Sequence, residues 1–547
     1  MASSAGAWGQ TTPWLSSESS QRLKDISLWS LASWLLLVSL LTPLVLSCLR
    51  WFRTWRILRA FPGPGGPLTF CWTIYRFCTS HPELDFNVGM MNLFYGLSRT
   101  YREEKVFNIY IGPKPHIYVY SPEGVQTVLS QSKNMDKTYV YSLLKEWMGN
   151  GLIMSPGRIW KPRRRLITPA FHFRIMEDAL GPINAVAKGL TATLSQLSTE
   201  EGLVNDLVPQ VQRCSLRVIC EAAMGVDIET LPGSRRYVKA VVEVSESFTQ
   251  RFVRPWLWNP WFYFWCTSQG RRERRNTASI RKFSLQAIET RKRALLKERS
   301  VRKNENGLTE PKKGRQCFMD ILLDMHLRSD ENGDTQGKLS LEDIREEVDT
   351  FMFAGHDTTT SGISFCLFLL GHSPDVQQKL YEELESVFQG SDRPVTLEDI
   401  KELQYLDCVI RESMRLYPPV PVIGRTITEE VKIEGRVVPA GCEVLLFLLA
   451  LHQDRTMFPE PEKFNPDRFL PQNAKSLHPF AFVPFSAGQR NCIGQRLAQI
   501  EMKVVLATIV RECHVTSLDA RDKLQLAVEL VLRSKTPLRL RFQPRRR

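Results

Sequence analysis

The 547-residue sequence has twelve cysteines but no C-x-x-C pair. Cysteines this sparse give no disulfide framework, so we expect reduced thiols that face the cytosol. No repeat and no long low-complexity linker divides the chain after its first 70 residues, which favours one large unit behind an N-terminal appendage. Signatures of zinc fingers, helix-turn-helix motifs and RNA-recognition domains are also missing. The net charge of +14 therefore points to an anionic membrane or an acidic protein partner, with no nucleic acid expected.

One long apolar run, residues 26–49, carries no charged side chain. Its length is close to the roughly 20 residues that span a bilayer as a helix. Arginines and the interfacial Trp51 and Trp55 follow it, which predicts a single-pass anchor with its C-terminal side in the cytosol. A cleaved signal peptide is the rival interpretation, but the run is longer than a typical h-region and no small-x-small cleavage site stands out after it. A buried core helix fits less well, because the run is apolar around its whole circumference.

These features divide the sequence into four parts. We expect a short lumenal N-terminus, a transmembrane anchor, a basic and Pro/Gly-rich hinge and one catalytic domain, over residues 1–25, 26–49, 50–67 and 68–547.

A glycine-bracketed loop, residues 482–494, presents Cys492 just before an amphipathic helix that starts near Gln495. The free N–H groups and the dipole of a helix N-terminus favour a thiolate. An unselected cysteine is more often a small buried hydrophobe. Gly488 and Gly494 would, however, let the backbone turn sharply and approach a flat ring, so Cys492 is the candidate metal ligand.

The spacing Phe485-x-x-Gly488-x-Arg490-x-Cys492-x-Gly494 resembles the haem-binding loop of the cytochrome P450 monooxygenases. The resemblance implies that Cys492 is the axial thiolate of a haem iron, a ligand that favours O–O cleavage. It implies that Phe485 packs near the sulfur and that Arg490 contacts a haem propionate. It also implies the cytochrome P450 fold, which is mainly α-helical with small β-sheets (α+β).

Further haem contacts are expected at Trp160, Arg164 and Arg425. Trp160 and Arg164 are four residues apart on a helix predicted to begin near Pro162, so they could present an indole N–H and a guanidinium to one anion. Standing alone, such a pair is more simply a basic surface turn with one buried indole. The pair resembles the propionate-binding W-x-x-x-R of the same family, which also places an arginine on a propionate at the position of Arg425.

A helix of roughly 30 residues is predicted from a capping-box-like start at Ser340 to about Leu370, with an amphipathic first half and a buried second half. The segment 354–360 in its middle contains Gly and clustered Thr, which weaken helices. This weak point is either a packing kink or a functional groove.

The sequence Ala354-Gly355-x-Asp357-Thr358-Thr359 resembles the oxygen-activation motif of the family. The match implies that Thr358 hydrogen-bonds the iron-bound dioxygen or its water and that Asp357 relays protons. Many members of the fourth cytochrome P450 family carry a glutamate at the position of Ala354, and that acid can form an ester to the haem. An alanine methyl cannot, so haem b held without a covalent bond is expected.

Glu412 and Arg415 share one helix face at i, i+3. Alone they would read as a solvated ion pair of little energetic value. They resemble the E-x-x-R of the family, completed by Arg468, which implies a buried carboxylate held by two guanidiniums. This triad is assigned to structure and haem-pocket assembly.

Local patterns predict several smaller elements. Alternating apolar residues predict hairpins over 105–120, around Glu434-Gly435, and between 527–532 and 538–542. Ser373 is expected to cap a helix, and residues 300–316 a mobile surface loop. The aromatic segment 254–265 is either a membrane-interface element or an internal core helix. Four residues are expected near the substrate: Ala354, Val422, Ile423 and Leu532.

The resemblance is strongest to the fourth family, the membrane-bound, fatty-acid ω-hydroxylase-like enzymes. It implies oxygen insertion into an apolar substrate such as a fatty acid, a lipid-derived signal or a xenobiotic. Electrons would come from NADPH through a flavoprotein reductase, NADPH-cytochrome reductase, with cytochrome b5 as a further partner, at the endoplasmic reticulum membrane. A haem-thiolate isomerase or dehydratase and a non-catalytic haem sensor are the alternatives. The Asp357-Thr358 pair argues against the isomerase or dehydratase, and the oxygen motif together with the membrane anchor argues against the sensor.

Overall fold

The computed structural model describes residues 18–131, 136–171, 173–306, 317–332 and 339–545. The chain separates into two compact units, Met1–Ala60 and Phe61–Arg547. The α-helices are α1 Glu18–Leu58, α2 Pro67–Ser80, α3 Phe86–Thr100, α4 Pro122–Leu129, α5 Lys145–Met148, α6 Gly157–Ile167, α7 Phe173–Glu200, α8 Val208–Ile219, α9 Ser234–Phe252, α10 Ser268–Asn306, α11 Phe318–Asn332, α12 Leu341–Leu370, α13 Pro374–Phe388, α14 Leu397–Glu402, α15 Gln404–Leu416, α16 Leu448–Leu451, α17 Pro471–Ala474 and α18 Gln495–Glu512. The strands are β1 Val106–Ile111, β2 Lys114–Val119, β3 Val422–Thr426, β4 Val431–Ile433, β5 Arg436–Val438, β6 Glu443–Phe447, β7 Cys513–Ser517, β8 Leu526–Val528, β9 Leu532–Ser534 and β10 Leu540–Pro544.

The first unit consists mainly of α1, whose segment Leu31–Leu58 is long and apolar enough to cross a membrane. The helix continues through Pro43 and ends at Leu58. The predicted anchor, 26–49, is therefore part of a longer helix. The first residues of the predicted hinge are helical as well, because the arginine-rich stretch 50–58 continues the same turns.

The second unit begins with a proline- and glycine-rich segment that packs on β1. The backbone N–H of Asn108 donates to the carbonyl of Pro62 at 2.7 Å. A Cβ on Gly63 would lie 2.1 Å from the carbonyl oxygen of Asn108. The chain therefore needs glycine at position 63, because its backbone lies against the strand.

The largest sheet has the strand order β1-β2-β6-β3, in which only the β2–β6 pair is parallel. It includes the hairpin predicted over 105–120. The β4–β5 hairpin is also confirmed, and both turn residues, Glu434 and Gly435, have positive φ values of 49° and 73°. The helices and these small sheets confirm the expected fold class.

The prediction of a hairpin between residues 527–532 and 538–542 is wrong. Strand β8 pairs with β9, and β10 instead pairs with β7, which follows α18. The apolar alternation over 526–534 spans two short strands and the turn between them, and the long-range partner of β10 leaves no local pattern.

Helix α12 crosses the interior and packs against α8, α15 and α18. Its capping box is present, with Ser340 and Asp343 bonding reciprocally. The predicted amphipathic first half is wrong, because every residue from Ile344 to Phe353 is buried. Charged side chains tolerate this burial through ion pairs, such as that of Arg163 with Glu347 at 3.1 Å.

Two helix boundaries and one helix cap also differ from the prediction. Helix α6 begins at Gly157 and includes Pro162, and α10 runs to Asn306, so 300–306 is helix. The rest of that predicted loop, 307–316, lies outside the described residues. Helix α13 begins at Pro374 without a side-chain cap from Ser373.

The aromatic segment 254–265 is not a core helix. It forms a 3₁₀ turn at Pro255–Leu257 and a π turn at Phe262–Cys266. Trp256, Trp261 and Trp265 are each at least 59 % exposed. Of the two interpretations left open by the sequence, the exposed tryptophans therefore favour the membrane-interface element over the internal core helix.

Candidate functional site

A cavity of about 370 Å³ lies within the second unit. Its wall is built from the middle of α12, the cysteine loop 484–494, the end of α9, the start of β3 and the turn between β8 and β9. Most of the lining side chains are apolar, and Cys492 is among them. The cavity therefore combines a single thiol with an apolar interior.

The cysteine loop turns through two residues with positive φ, Ser486 at 60° and Gly488 at 71°. A Cβ on Gly488 would lie 2.1 Å from the carbonyl oxygen of Leu129, so only glycine fits there. The backbone N–H of Cys492 donates to the carbonyl of Phe485 at 2.9 Å, which closes the loop. Gly488 is not on the cavity wall, so its part in the site is the loop turn.

Gly494 lies in the turn that ends the cysteine loop, as predicted, in a backbone conformation that any residue can adopt. It has φ −86° and ψ 7° and directly precedes α18. Cys492 consequently lies just before a helix N-terminus, as predicted. Burial raises the pKa of the Cys492 thiol, while a hydrogen bond from Gly494 and the charge of Arg164 act to lower it. Cys492 has solvent-accessible surface and lines the cavity.

Arg164 holds the loop from the side. Its guanidinium donates to the carbonyl and to the side-chain Oδ1 of Asn491 at 2.9 and 3.0 Å. Trp160 is buried, and its ring lies 4.8 Å from the guanidinium carbon of Arg490. The side chains of Trp160, Arg164 and Arg490 line the cavity. The tryptophan thus stacks with Arg490, while the fork of Arg164 is used on the loop itself.

Three cations are close together beside the cavity: Lys137, Arg425 and Arg490. Burial and, to a smaller extent, the charge of Arg425 together lower the pKa of Arg490 to about 10. Burial and both arginines hold the pKa of Lys137 well below its usual range. Burial also lowers the pKa of Arg425, which lies behind the cavity wall and donates to the carbonyl of Gly424 at 2.9 Å.

The guanidinium of Arg490 also has N–H groups that make no hydrogen bond within the part of the chain that the structure describes. Its Nη2 donates to the carbonyl of Ser155 at 2.5 Å, whereas Nε and Nη1 are buried without a hydrogen-bond partner. Buried like charges and orphaned donors are costly unless a ligand supplies acceptors and negative charge. A ring with acidic substituents at one edge and an iron that binds sulfur fits this arrangement, so the residues present fit haem. The sequence did not reveal Lys137 or Tyr141, whose ring lies 4.8 Å from the Lys137 ammonium.

The oxygen-motif segment of α12 remains helical. The Oγ1 atoms of Thr358 and Thr359 donate to the carbonyls of Ala354 and Gly355, both at 2.7 Å. A Cβ on Gly355 would lie 2.5 Å from Cδ1 of Ile219, so glycine permits close packing against α8. Ala354, Gly355, Thr358 and Thr359 line the cavity, which favours the groove over a kink.

Asp357 is placed differently from its neighbour Thr358. Its side chain is buried and is not on the cavity wall. Nη2 of Arg533 donates to both of its carboxylate oxygens at 2.7 Å. No local pattern pointed to Arg533, because it comes from β9, far away in the sequence.

Glu501 is a buried acid of the cavity wall that sequence reasoning missed. Burial raises its pKa to about 8, and its Oε1 is buried without a hydrogen-bond partner among the described residues. The available signal was a carboxylate among the apolar residues that α18 buries. Such an acid can hold or release a proton near neutral pH.

The candidate substrate residues divide into two groups. Ala354, Val422 and Ile423 line the cavity, together with Phe248 and Phe252 of α9. Leu532 does not line it, which corrects the sequence-based expectation. Its backbone N–H donates to the carbonyl of Pro419 at 2.8 Å, and its side chain is buried in the main core. The preceding turn, 528–531, lines the cavity instead.

The predicted triad is assembled away from the cavity. Arg415 donates from Nε and Nη2 to the two carboxylate oxygens of Glu412 at 2.7 and 2.8 Å. Both side chains are fully buried, and Nε of Arg468 lies 3.4 Å from Oε1 of Glu412. Arg415 also donates to the carbonyls of His452, Pro461 and Lys463. The triad therefore ties α15 to the segment that leads into the cysteine loop.

This fold, with one cavity-facing cysteine before α18 and a helical oxygen motif, defines a haem-thiolate oxidoreductase. The sequence model described as Cytochrome P450 matches residues 62–542, and the chain belongs to that family. It is 41% identical over 446 residues to cytochrome P450 4V2 of Rattus norvegicus, covering 81% of this chain and 83% of the relative. The identity to cytochrome P450 4c3 of Drosophila melanogaster is 38% over 524 residues, covering 93% and 94%. These relatives confirm the resemblance to the fourth family.

Membership in the family confirms several expectations. The chain is a haem-dependent monooxygenase that receives electrons from a redox partner reductase and acts on an apolar substrate. The apolar helix α1 is consistent with a membrane-anchored enzyme.

Proposed function

We propose that this protein hydroxylates fatty acids or related apolar chains at or near the end remote from the carboxylate. NADPH supplies the electrons through a flavoprotein reductase, with cytochrome b5 as a further donor. The observation that carries the proposal is the apolar cavity, whose wall contains Cys492 and the cationic residues Lys137, Arg164 and Arg490. Bound haem supplies the binding and reductive activation of dioxygen.

The assignment of the haem contacts follows from the charges beside the cavity. Cys492 binds the iron as a thiolate, because a coordinated thiol is deprotonated. Arg490, with two free donors, pairs with one propionate, and Lys137 and Arg425 add positive charge at the same edge. Arg164 keeps the loop in place through Asn491. Ala354 offers no carboxylate for an ester, so the haem is held without a covalent bond.

Proton handling is assigned to the oxygen motif. The hydroxyl of Thr358 now donates to the carbonyl of Ala354, and a rotation about its Cα–Cβ bond turns the same proton towards the cavity. Asp357 carries a carboxylate one residue away and relays protons to that hydroxyl. The buried walls keep bulk water from competing for the same donors.

The distribution of charge supports attack at the apolar end of a chain. The lining cations Lys137, Arg164 and Arg490 belong to the haem edge. A fatty-acid carboxylate that entered the apolar part of the cavity would be desolvated at a high cost. The hydrocarbon end enters at no such cost, so it reaches the reactive centre first.

The membrane setting is proposed from two exposed apolar surfaces. Segment Leu31–Leu58 has the length of a bilayer span, and its cationic end predicts that the catalytic unit faces the cytosol at the endoplasmic reticulum. The exposed tryptophans 256, 261 and 265 are suited to the interface of the same membrane.

The test compares the wild-type protein with Cys492→Ser in the reduced carbon monoxide difference spectrum. We expect the spectrum of a thiolate-bound haem in the wild type and its loss in Cys492→Ser, whereas Cys71→Ser, at an exposed thiol, leaves it unchanged. Turnover is then measured with reductase, NADPH and fatty acids, and acid extraction should release the haem. Product formed without NADPH and oxygen would instead support an isomerase or dehydratase, and an unaltered spectrum in Cys492→Ser would refute the ligand assignment.

A further inference from the structure

A series of ion pairs connects the oxygen motif with the hairpin β8–β9. Nη2 of Arg533 donates to both oxygens of Asp357 at 2.7 Å, and its Nε lies 3.0 Å from Oε2 of Glu529. Oε1 of Glu529 in turn lies 2.9 Å from Nζ of Lys535, which also pairs with Glu246. Glu246 is partly exposed, so the series runs from near the surface to α12.

Arg533 is the cation shared by two enclosed carboxylates. The side chains of Asp357 and Glu529 have no solvent-accessible surface. A buried carboxylate that loses its cation becomes neutral by taking up a proton. An arginine keeps its charge in such a place, because its guanidinium does not deprotonate in proteins.

The other titratable neighbours of Asp357 carry no charge. Burial lowers the pKa of His356 and raises that of Tyr237, so both are neutral near pH 7. The positive charge that faces Asp357 therefore comes from Arg533. The guanidinium also sets the direction of the carboxylate, since both oxygens turn to the same Nη2.

The hairpin that carries Arg533 is also part of the substrate cavity. Its turn, 528–531, lines the wall, and Glu529 lies within that turn. The backbone of the hairpin is joined to α12, because Ser361 donates to the carbonyl of Leu532 at 3.0 Å. One short element thus lines the cavity and holds the acid of the oxygen motif.

We propose that Arg533 is the positioning residue for Asp357, which fixes the charge and orientation of that carboxylate from the hairpin that lines the substrate cavity. This inference rests on the proposed function, because it assumes that Asp357 relays protons. Neutralising or releasing Asp357 then diverts electrons from product to hydrogen peroxide.

The experiment uses the haem-loaded enzyme with its reductase and measures product and hydrogen peroxide per NADPH as a function of pH. We expect Arg533→Gln to lower product per NADPH by about tenfold or more, since positioned proton-transfer groups contribute roughly 10²–10⁴-fold. Arg533→Lys keeps the charge and recovers most of the yield. The matched control is Lys535→Gln, which removes the outer cation of the same series and leaves the Arg533–Asp357 pair intact.

Two further measurements separate positioning from simple stability. In an Asp357→Asn background, Arg533→Gln should cause no additional loss of product per NADPH. At neutral pH, Arg533→Gln should show the infrared band of a protonated carboxylic acid, which disappears in the double variant Asp357→Asn/Arg533→Gln. If Arg533→Gln does not yield haem-loaded protein, the product per NADPH of Arg533→Lys is compared instead with that of Lys535→Gln and of the double variant Asp357→Asn/Arg533→Gln.

The outcomes distinguish the two proposals. Uncoupling in Asp357→Asn but not in Arg533→Gln would overturn the positioning role and leave the proposed function intact. Equal losses in Arg533→Gln and Lys535→Gln would also overturn it, because any break in the series would then have the same effect. Full product yield in Asp357→Asn would remove Asp357 from the mechanism and the role of Arg533 with it.

Discussion

The buried triad gives the most quantitative prediction, for the substitution Arg415→Gln. Arg415 makes two charged hydrogen bonds to Glu412, at 2.7 and 2.8 Å, and both side chains are fully buried. The substitution leaves the Glu412 carboxylate with Arg468, whose Nε is 3.4 Å away, and with the backbone N–H of Asn465 at 2.9 Å. Removing one partner of a buried ion pair costs about 3–5 kcal/mol.

The backbone contacts of Arg415 add to this loss. The carbonyls of His452, Pro461 and Lys463 each lose a guanidinium donor. We therefore expect the free energy of unfolding to fall by at least about 3 kcal/mol, a large part of the roughly 5–15 kcal/mol typical of folded proteins. The segment behind the cysteine loop should loosen as well, so the haem content per protein should fall.

The assay is denaturant unfolding of the haem-loaded protein, followed by circular dichroism and by haem absorbance. Arg455→Gln is the matched control, because Arg455 pairs with Glu462 at 3.4 Å on the exposed surface, where such pairs contribute about 0–1 kcal/mol. An Arg415→Gln protein that unfolds within about 1 kcal/mol of the wild type, with full haem content, would refute the argument, since the cost of a broken buried pair would be missing.

Three further predictions concern the cavity. Arg490→Gln removes charged hydrogen bonds worth about 1.5–3 kcal/mol, so haem should dissociate roughly 10–100-fold faster in a transfer assay to apomyoglobin, and an unchanged rate would exclude a propionate contact. Glu501→Gln should change the pH dependence of stability: the pKa of Glu501 is raised from 4.5 to about 8, so its stabilising effect is full below pH 4.5 and is lost as the pH rises to about 8. The wild type should lose stability over this window relative to Glu501→Gln, and parallel stability–pH curves would contradict the assignment. Thr358→Ala should lower product per NADPH and raise hydrogen peroxide, whereas equal coupling in mutant and wild type would remove Thr358 from the mechanism.

The sequence by itself determined the features that depend on local spacing. Cys492 on its loop, the capping box at Ser340 and the Glu412–Arg415 pair could be read directly, because each depends on neighbours within a few turns of chain. The apolar run within α1 was visible for the same reason, since its composition alone meets the length of a bilayer. The match of several motifs in one order then predicted the fold class.

Only the tertiary structure decided which side chains meet from distant parts of the chain. Arg533 reaches Asp357 from β9, and Lys137 joins Arg425 and Arg490, although nothing in the local sequence marks Arg533 or Lys137. Burial also overrode local pattern in α12, whose charged first half is enclosed because ion pairs satisfy it. Leu532 was misplaced for a similar reason: strand pairing directs it into the core and leaves the turn before it at the cavity. Electrostatics in a low-dielectric interior depends on distance in space, and one-dimensional spacing does not contain that distance.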